Sequence, residues 1–113
     1  MPITTKEIAK YSASIFSDAE PGKMVAAVML FDAEGKGIAF LRFYPAGVAL
    51  AANEFRGDLG YFLASYQQDA LATVIDILRN EKPLYFTWYD YLPVRCFGAL
   101  GTSREPIGEG HEA

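Results

Sequence analysis

The sequence predicts an α+β fold, a mostly antiparallel, twisted sheet of about five or six strands with one main helix packed on one face. The first indication is a helical stripe in which apolar residues recur at i, i+3, i+4 and i+7, namely Leu71, Val74, Ile75 and Leu78. The second is the segment LYFTWYDY at residues 84–91, whose density of aromatic residues is typical of a strand. Several short apolar runs between glycine and proline turns supply the other strands.

The composition indicates a folded domain with apolar surface to spare. The chain has 113 residues, of which 51% are hydrophobic and 14% aromatic, so disorder is excluded for most of its length. We interpret residues 1–101 as a single α+β domain. Residues 102–113 are rich in Gly, Pro and Glu, and we expect a flexible acidic C-terminal tail there. The aromatic surplus predicts a surface that meets a partner.

The charges and the single cysteine limit the partners and the cellular location that the sequence predicts. The net charge is −4 and the ten basic residues form no run, which argues against general affinity for duplex nucleic acid or for a membrane surface. Cys96 is the only cysteine, so no internal disulfide exists. The N-terminal residues lack the apolar segment of a signal peptide, and the longest apolar run, residues 24–31, is too short to span a bilayer. We therefore expect a cytoplasmic protein without a membrane partner.

The N-terminal residues 3–18 fit two patterns. Thr4 and Glu7 have the spacing of a capping box and precede a helical stripe, but apolar and polar residues also alternate here as they do in strands. Turn-forming residues at 18–22 lead directly into a further strand. A hairpin is therefore the more economical interpretation, and the helix stays open as the alternative.

The next segments predict a buried hairpin. Residues 24–31 are apolar throughout, which is typical of a central strand covered on both faces. A loop with two glycines at residues 32–37 leads to a return strand over residues 38–44. Because successive side chains in a strand point to opposite faces, Ala39, Leu41 and Phe43 are assigned to the core.

The remaining elements follow with different clarity. Residues 48–52 fit a short strand or a helical turn, residues 53–60 a loop, and residues 61–64 a short strand. The helix begins between Ser65 and Asp69, which compete as its N-cap, and Pro83 prevents it from continuing. Residues 94–100 form a last strand, antiparallel to residues 84–91 because the connection is too short for a crossover.

Catalytic and cofactor motifs are missing from the sequence. The glycines at 35 and 37 do not extend to a dinucleotide-binding or P-loop motif. His111 is the only histidine and lies in the tail, so Cys96 has no evident base and metal-ligand spacing does not occur. We predict no enzyme activity, no cofactor and no metal, and we interpret Cys96 as a small core residue.

The aromatic surplus is the main functional indication. If the helix covers one face of a single sheet, the opposite face carries the other aromatic residues together with one guanidinium. The binding or interface residues predicted on that face are Tyr85, Tyr89, Tyr91, Phe40, Arg42 and Tyr44. Such a face is typical of a self-association interface, which predicts a binding or assembly module that forms a homodimer or higher homo-oligomer. The alternative is single-stranded nucleic acid, whose bases stack on such rings, but the net acidity favours the first hypothesis.

Overall fold

The computed structural model describes residues 3–17 and 20–102 and confirms the α+β class. Its one helix, α1, spans Leu71–Asn80 and follows a 3-10 turn at Gln68–Ala70. Eight strands make up most of the described chain. They are β1 Ile3–Glu7, β2 Lys10–Ile15, β3 Ala26–Phe31, β4 Gly37–Tyr44, β5 Glu54–Arg56, β6 Tyr61–Gln67, β7 Leu84–Tyr91 and β8 Arg95–Thr102.

The strands form two sheets rather than one. A five-stranded sheet has the order β2-β3-β4-β6-β5, and a three-stranded sheet has the order β1-β7-β8. All neighbouring strands are antiparallel except β4 and β6, which are parallel and are joined by the long connection that contains β5. The mostly antiparallel character is thus as predicted. The described chain contains eight strands, whereas the sequence predicted about five or six.

The N-terminal segment links the two sheets. The Ile8 amide donates a hydrogen bond to the Leu84 carbonyl at 2.8 Å, and the next amide, Ala9, donates to the Phe31 carbonyl at 2.9 Å. The N-terminal segment therefore stops pairing with β7 and starts pairing with β3 within two residues, as strands do at the corners of packed sheets. The hairpin of β2 with β3 is confirmed, and the helical alternative for residues 3–18 is wrong for the described part of that segment.

The core lies between the two sheets and α1. Leu41 and Phe43 of β4 are fully buried there, as the alternation predicted. Phe62 of β6 stacks on Trp88 of β7 with ring centroids 4.7 Å apart, so these two rings join the sheets directly. Val74 is buried against the same cluster and the other residues of the predicted helical stripe pack on it. The predicted helix face is confirmed.

The segment between β4 and α1 differs most from the sequence prediction. Residues 48–52 form neither a strand nor a helical turn, and β5 lies inside the predicted loop. β6 continues to Gln67, so Ser65 belongs to a strand. Asp69 lies within the 3-10 turn, and Ala70 is the N-cap of α1, so neither predicted N-cap is correct. The predicted tail lies outside the described residues from Ser103 onward. No helix within residues 3–17 and 20–102 is long and apolar enough to cross a membrane.

Candidate functional site

The outer face of the three-stranded sheet carries a cluster of aromatic rings. Alternation along β7 buries Phe86 and Trp88 in the core, so its tyrosines point the other way and are half-buried. The register of β8 places Phe97 opposite Tyr89 and Arg95 opposite Tyr91. We call this surface the aromatic face and define it by Tyr85, Tyr89, Tyr91, Arg95 and Phe97.

The rings of the aromatic face are stacked in an ordered way. Tyr89 and Phe97 have centroids 4.8 Å apart and planes inclined by 19°. Tyr91 lies 6.1 Å from Tyr89 with an interplanar angle of 20°. The guanidinium carbon of Arg95 stands 4.7 Å from the Phe97 centroid, within the range of a cation–π contact. The strand backbones thus hold three rings and one cation in a fixed arrangement.

The surroundings of the aromatic face are apolar at one end. Ile3 of β1 lies opposite Tyr89 in the sheet and is 54% exposed. The turn between β7 and β8 presents Leu92, which is 62% exposed, and Val94, which is 83% exposed. Further along, the Thr5 and Thr87 hydroxyls are hydrogen-bonded at 3.2 Å. Large exposed apolar side chains therefore border the stacked rings.

Three of the predicted site residues lie elsewhere. Phe40, Arg42 and Tyr44 belong to β4, on the face of the five-stranded sheet that points away from the core residues Leu41 and Phe43. The prediction that they share one surface with the β7 tyrosines is wrong because β4 and β7 belong to different sheets. No single sheet face can carry both sets.

The β4 residues are engaged within the chain. Nη2 of Arg42 donates hydrogen bonds to the Ala52 carbonyl at 2.9 Å and to the Ser65 hydroxyl at 3.1 Å. Tyr44 is buried. Phe40 contacts Tyr61 with centroids 6.5 Å apart. Arg42 therefore fastens the irregular connection after β4 to the sheet, which is a structural role.

Two residues of the aromatic face, Arg95 and Phe97, were not predicted from the sequence. Arg95 and Phe97 alternate on β8 and were not assigned to a surface. The signal was present, because the short turn after Tyr91 fixes the register of an antiparallel partner and places alternate residues beside the β7 tyrosines. Reading that register from the sequence would have added both residues.

Cys96 is held in an environment that suppresses its reactivity. Its Sγ donates a hydrogen bond to the Asn53 carbonyl at 3.2 Å, and the side chain packs on the core cluster. Burial raises the pKa of the thiol above its ordinary value, and the nearby carboxylates of Asp90 and Glu54 raise it further. The thiol is therefore protonated at neutral pH and lacks the activation that a nucleophile needs. Within the described ranges, no three His, Cys, Asp or Glu side chains are grouped to hold a metal ion.

Comparisons with protein-family models, with curated proteins and with solved structures give no match for this chain. Among its surfaces, the aromatic face combines ring stacking, a cation and exposed apolar neighbours in one place.

Proposed function

We propose that the chain is a small cytoplasmic, non-catalytic binding and assembly module that self-associates through the aromatic face into a homodimer or higher homo-oligomer. The observation that carries the proposal is the stack of Tyr89 on Phe97 with Arg95 above it, directed away from the core. Tyrosine, phenylalanine and arginine are enriched at the centres of protein interfaces. A reducing compartment is consistent with the single free thiol, that of the partly buried Cys96.

The size of the face limits the area that this association can bury. Two strands of eight residues and one of five, at about 3.3 Å per residue and about 4.8 Å apart, give a projected area of about 330 Å². A stable interface buries about 800 Å² per partner, so the sheet face supplies less than half of that area. Leu92 and Val94 extend the apolar surface beyond the strands. We therefore expect association in the micromolar range, with the turn contributing alongside the rings.

Light scattering on the wild-type chain and two variants tests the proposal. Tyr89→Glu should convert an oligomer into a monomer, because the new carboxylate would be desolvated without a partner. Tyr61→Glu is the matched control, since Tyr61 is also half-buried but lies on the five-stranded sheet. A wild-type monomer, or equal masses for the wild type and Tyr89→Glu, would contradict the proposal.

A second candidate function is single-stranded nucleic-acid binding at the same face. The cation–π pair of Arg95 and Phe97 favours it, because bases stack on such groups at about 1–3 kcal/mol each. Against it, Arg95 is the one cation of the aromatic face, Glu7 lies opposite Tyr85, and the chain is acidic overall. A fluorescence titration with labelled single-stranded DNA decides: salt-sensitive binding that is lost in Tyr89→Glu, with an unchanged oligomeric state, would favour this function.

A further inference from the structure

A cleft opens where the two sheets meet, on the core side of β7 and away from the aromatic face. Its volume is about 480 Å³, which is within the range of small-molecule sites. Both sheets contribute to its lining, β1 and β7 from one and β4, β5 and β6 from the other. We call it the intersheet cleft, and the residues used below are Lys6, Lys36, Phe55, Phe62, Trp88 and Asp90.

One wall of the intersheet cleft is a run of three aromatic rings. Phe55 lies 4.8 Å from Phe62, and Phe62 lies 4.7 Å from Trp88, measured between ring centroids. The inner two rings are almost completely buried, whereas Phe55 is 52% exposed. An exposed phenylalanine beside a concave wall leaves apolar area that a flat ligand can cover. The wall therefore favours a planar aromatic group.

The rim of the cleft carries an excess of positive charge. Lys6 and Lys36 line it together with one acid, Asp90, so the lining itself carries a net charge of +1, while Glu7, Asp32 and Glu34 border Lys6 on its other side. Neither lysine forms an ion pair within the described part of the chain. The Asp90 carboxylate accepts a hydrogen bond from the Leu92 amide at 3.2 Å. The ammonium groups thus remain available to an anion.

We infer that the intersheet cleft binds a small planar aromatic acid. The ring of the ligand packs chiefly on the exposed ring of Phe55 at the open end of the three-ring wall, and its anionic group is held by Lys6 and Lys36. Charge complementarity selects the anion, and the three-ring wall selects the flat ring. This site is separate from the surface of the proposed self-association, because Trp88 and Asp90 lie on the side of β7 opposite the aromatic face and most of the other cleft residues belong to the five-stranded sheet or its loops.

Calorimetric titration of the full chain with 2-naphthoate tests the inference, with uncharged 2-naphthamide as the matched probe. We expect one naphthoate per chain and about threefold to tenfold weaker binding of the amide, as befits rim charges that stay hydrated. The double variant Lys6→Gln/Lys36→Gln should lose this preference. Lys23→Gln is its control, because Lys23 precedes β3 at the end remote from Lys36 and lies outside the cleft.

The aromatic wall is tested separately. Phe55→Ala should weaken naphthoate binding severalfold while the chain still folds, because this ring is half exposed. Phe16→Ala removes a comparably exposed ring outside the cleft and should bind as the wild type does. Trp88, the only tryptophan, reports occupancy through its fluorescence. Tyr89→Glu should bind naphthoate normally, so that failure of the self-association proposal and failure of this one are distinguishable.

Three results would overturn the inference. The first is no binding of naphthoate at millimolar concentration. The second is equal affinity for the acid and the amide, which would remove the anionic requirement. The third is wild-type affinity in Phe55→Ala. Circular dichroism of each variant establishes that a loss of binding is not a loss of folding.

Discussion

Substitution of Gly98 tests the close contact between β8 and the Phe86 ring of its neighbour β7. The residue lies opposite Trp88 in the register, and a Cβ atom added to it would meet the Phe86 ring, with Cζ nearest and Cε1 at 2.7 Å. Phe86 is fully buried between the sheets, so its ring has little room to move. Gly98→Ala should therefore destabilise the chain by about 1–3 kcal/mol, as overpacking of a core does.

Gly101 on the same strand is the matched control. An added Cβ there meets no heavy atom of the described residues within 4 Å. Gly101→Ala should be neutral or should stabilise the chain by about 0.5–1 kcal/mol, because alanine loses less conformational entropy on folding. Urea unfolding followed by Trp88 fluorescence measures both variants.

A double variant identifies the clash. Phe86→Leu removes the ring atoms that the added Cβ would meet, so Gly98→Ala should cost less in that background than in the wild type. Equal stability of Gly98→Ala, Gly101→Ala and the wild type would refute the packing described between β8 and Phe86.

Other parts of the fold yield predictions of the same kind. Val74→Ala should lower the free energy of unfolding in urea by about 2 kcal/mol, because Val74 is the buried residue of α1. The exposed Asp76→Ala should change it by less than about 0.5 kcal/mol. Equal losses in the two variants would mean that the helix faces the core differently. The raised thiol pKa lowers the thiolate fraction, so Cys96 should react slowly with iodoacetamide. Asp90→Asn should speed the reaction, because it removes a carboxylate that raises the pKa of the thiol. An unchanged rate in Asp90→Asn would contradict the electrostatic contribution of Asp90 to that pKa. Deleting residues 105–113 should leave the thermal midpoint unchanged, since their composition offers little apolar area to bury, and a drop of many degrees would contradict this.

The linkage of Cys96 to stability has a definite sign. Because its folded pKa is raised, the protonated thiol stabilises the native state at pH values below the ordinary thiol pKa. This contribution is lost as the pH rises through the folded value. Cys96→Ser lacks a titrating thiol, so the wild type should lose more stability than Cys96→Ser on going from pH 7 to alkaline pH. Parallel pH profiles for the two chains would contradict the assignment.

The elements with strong local patterns were predictable from the sequence. The bounds of β7 coincide with the predicted residues 84–91, because dense aromatic residues between two prolines leave little alternative. The stripe on α1 follows from its 3.6-residue periodicity. β5 was missed because three residues, two of them charged, carry no periodic signal; its partner β6 defines it.

The division into two sheets could not be predicted from local patterns. It depends on which strands pair over long distances, and the amides of Ile8 and Ala9, which bond to β7 and β3 respectively, mark where the chain passes from one sheet to the other. The prediction of the site residues failed for the same reason, because it depended on long-range strand pairing. The alternation along β7 correctly grouped its three tyrosines on one face, whereas the addition of Phe40, Arg42 and Tyr44 assumed a single sheet that the chain does not form.

Hydroxyl-radical footprinting of the wild-type chain at increasing concentration tests self-association through the aromatic face most directly. We expect the labelling of Tyr89, Tyr91 and Phe97 to fall as the chain is concentrated through the micromolar range, because the rings become covered by a second copy. Tyr61 and Phe40, on the outer face of the five-stranded sheet, should be labelled equally at every concentration. Constant labelling of the three rings, or protection of Tyr61 and Phe40 in their place, would contradict the account.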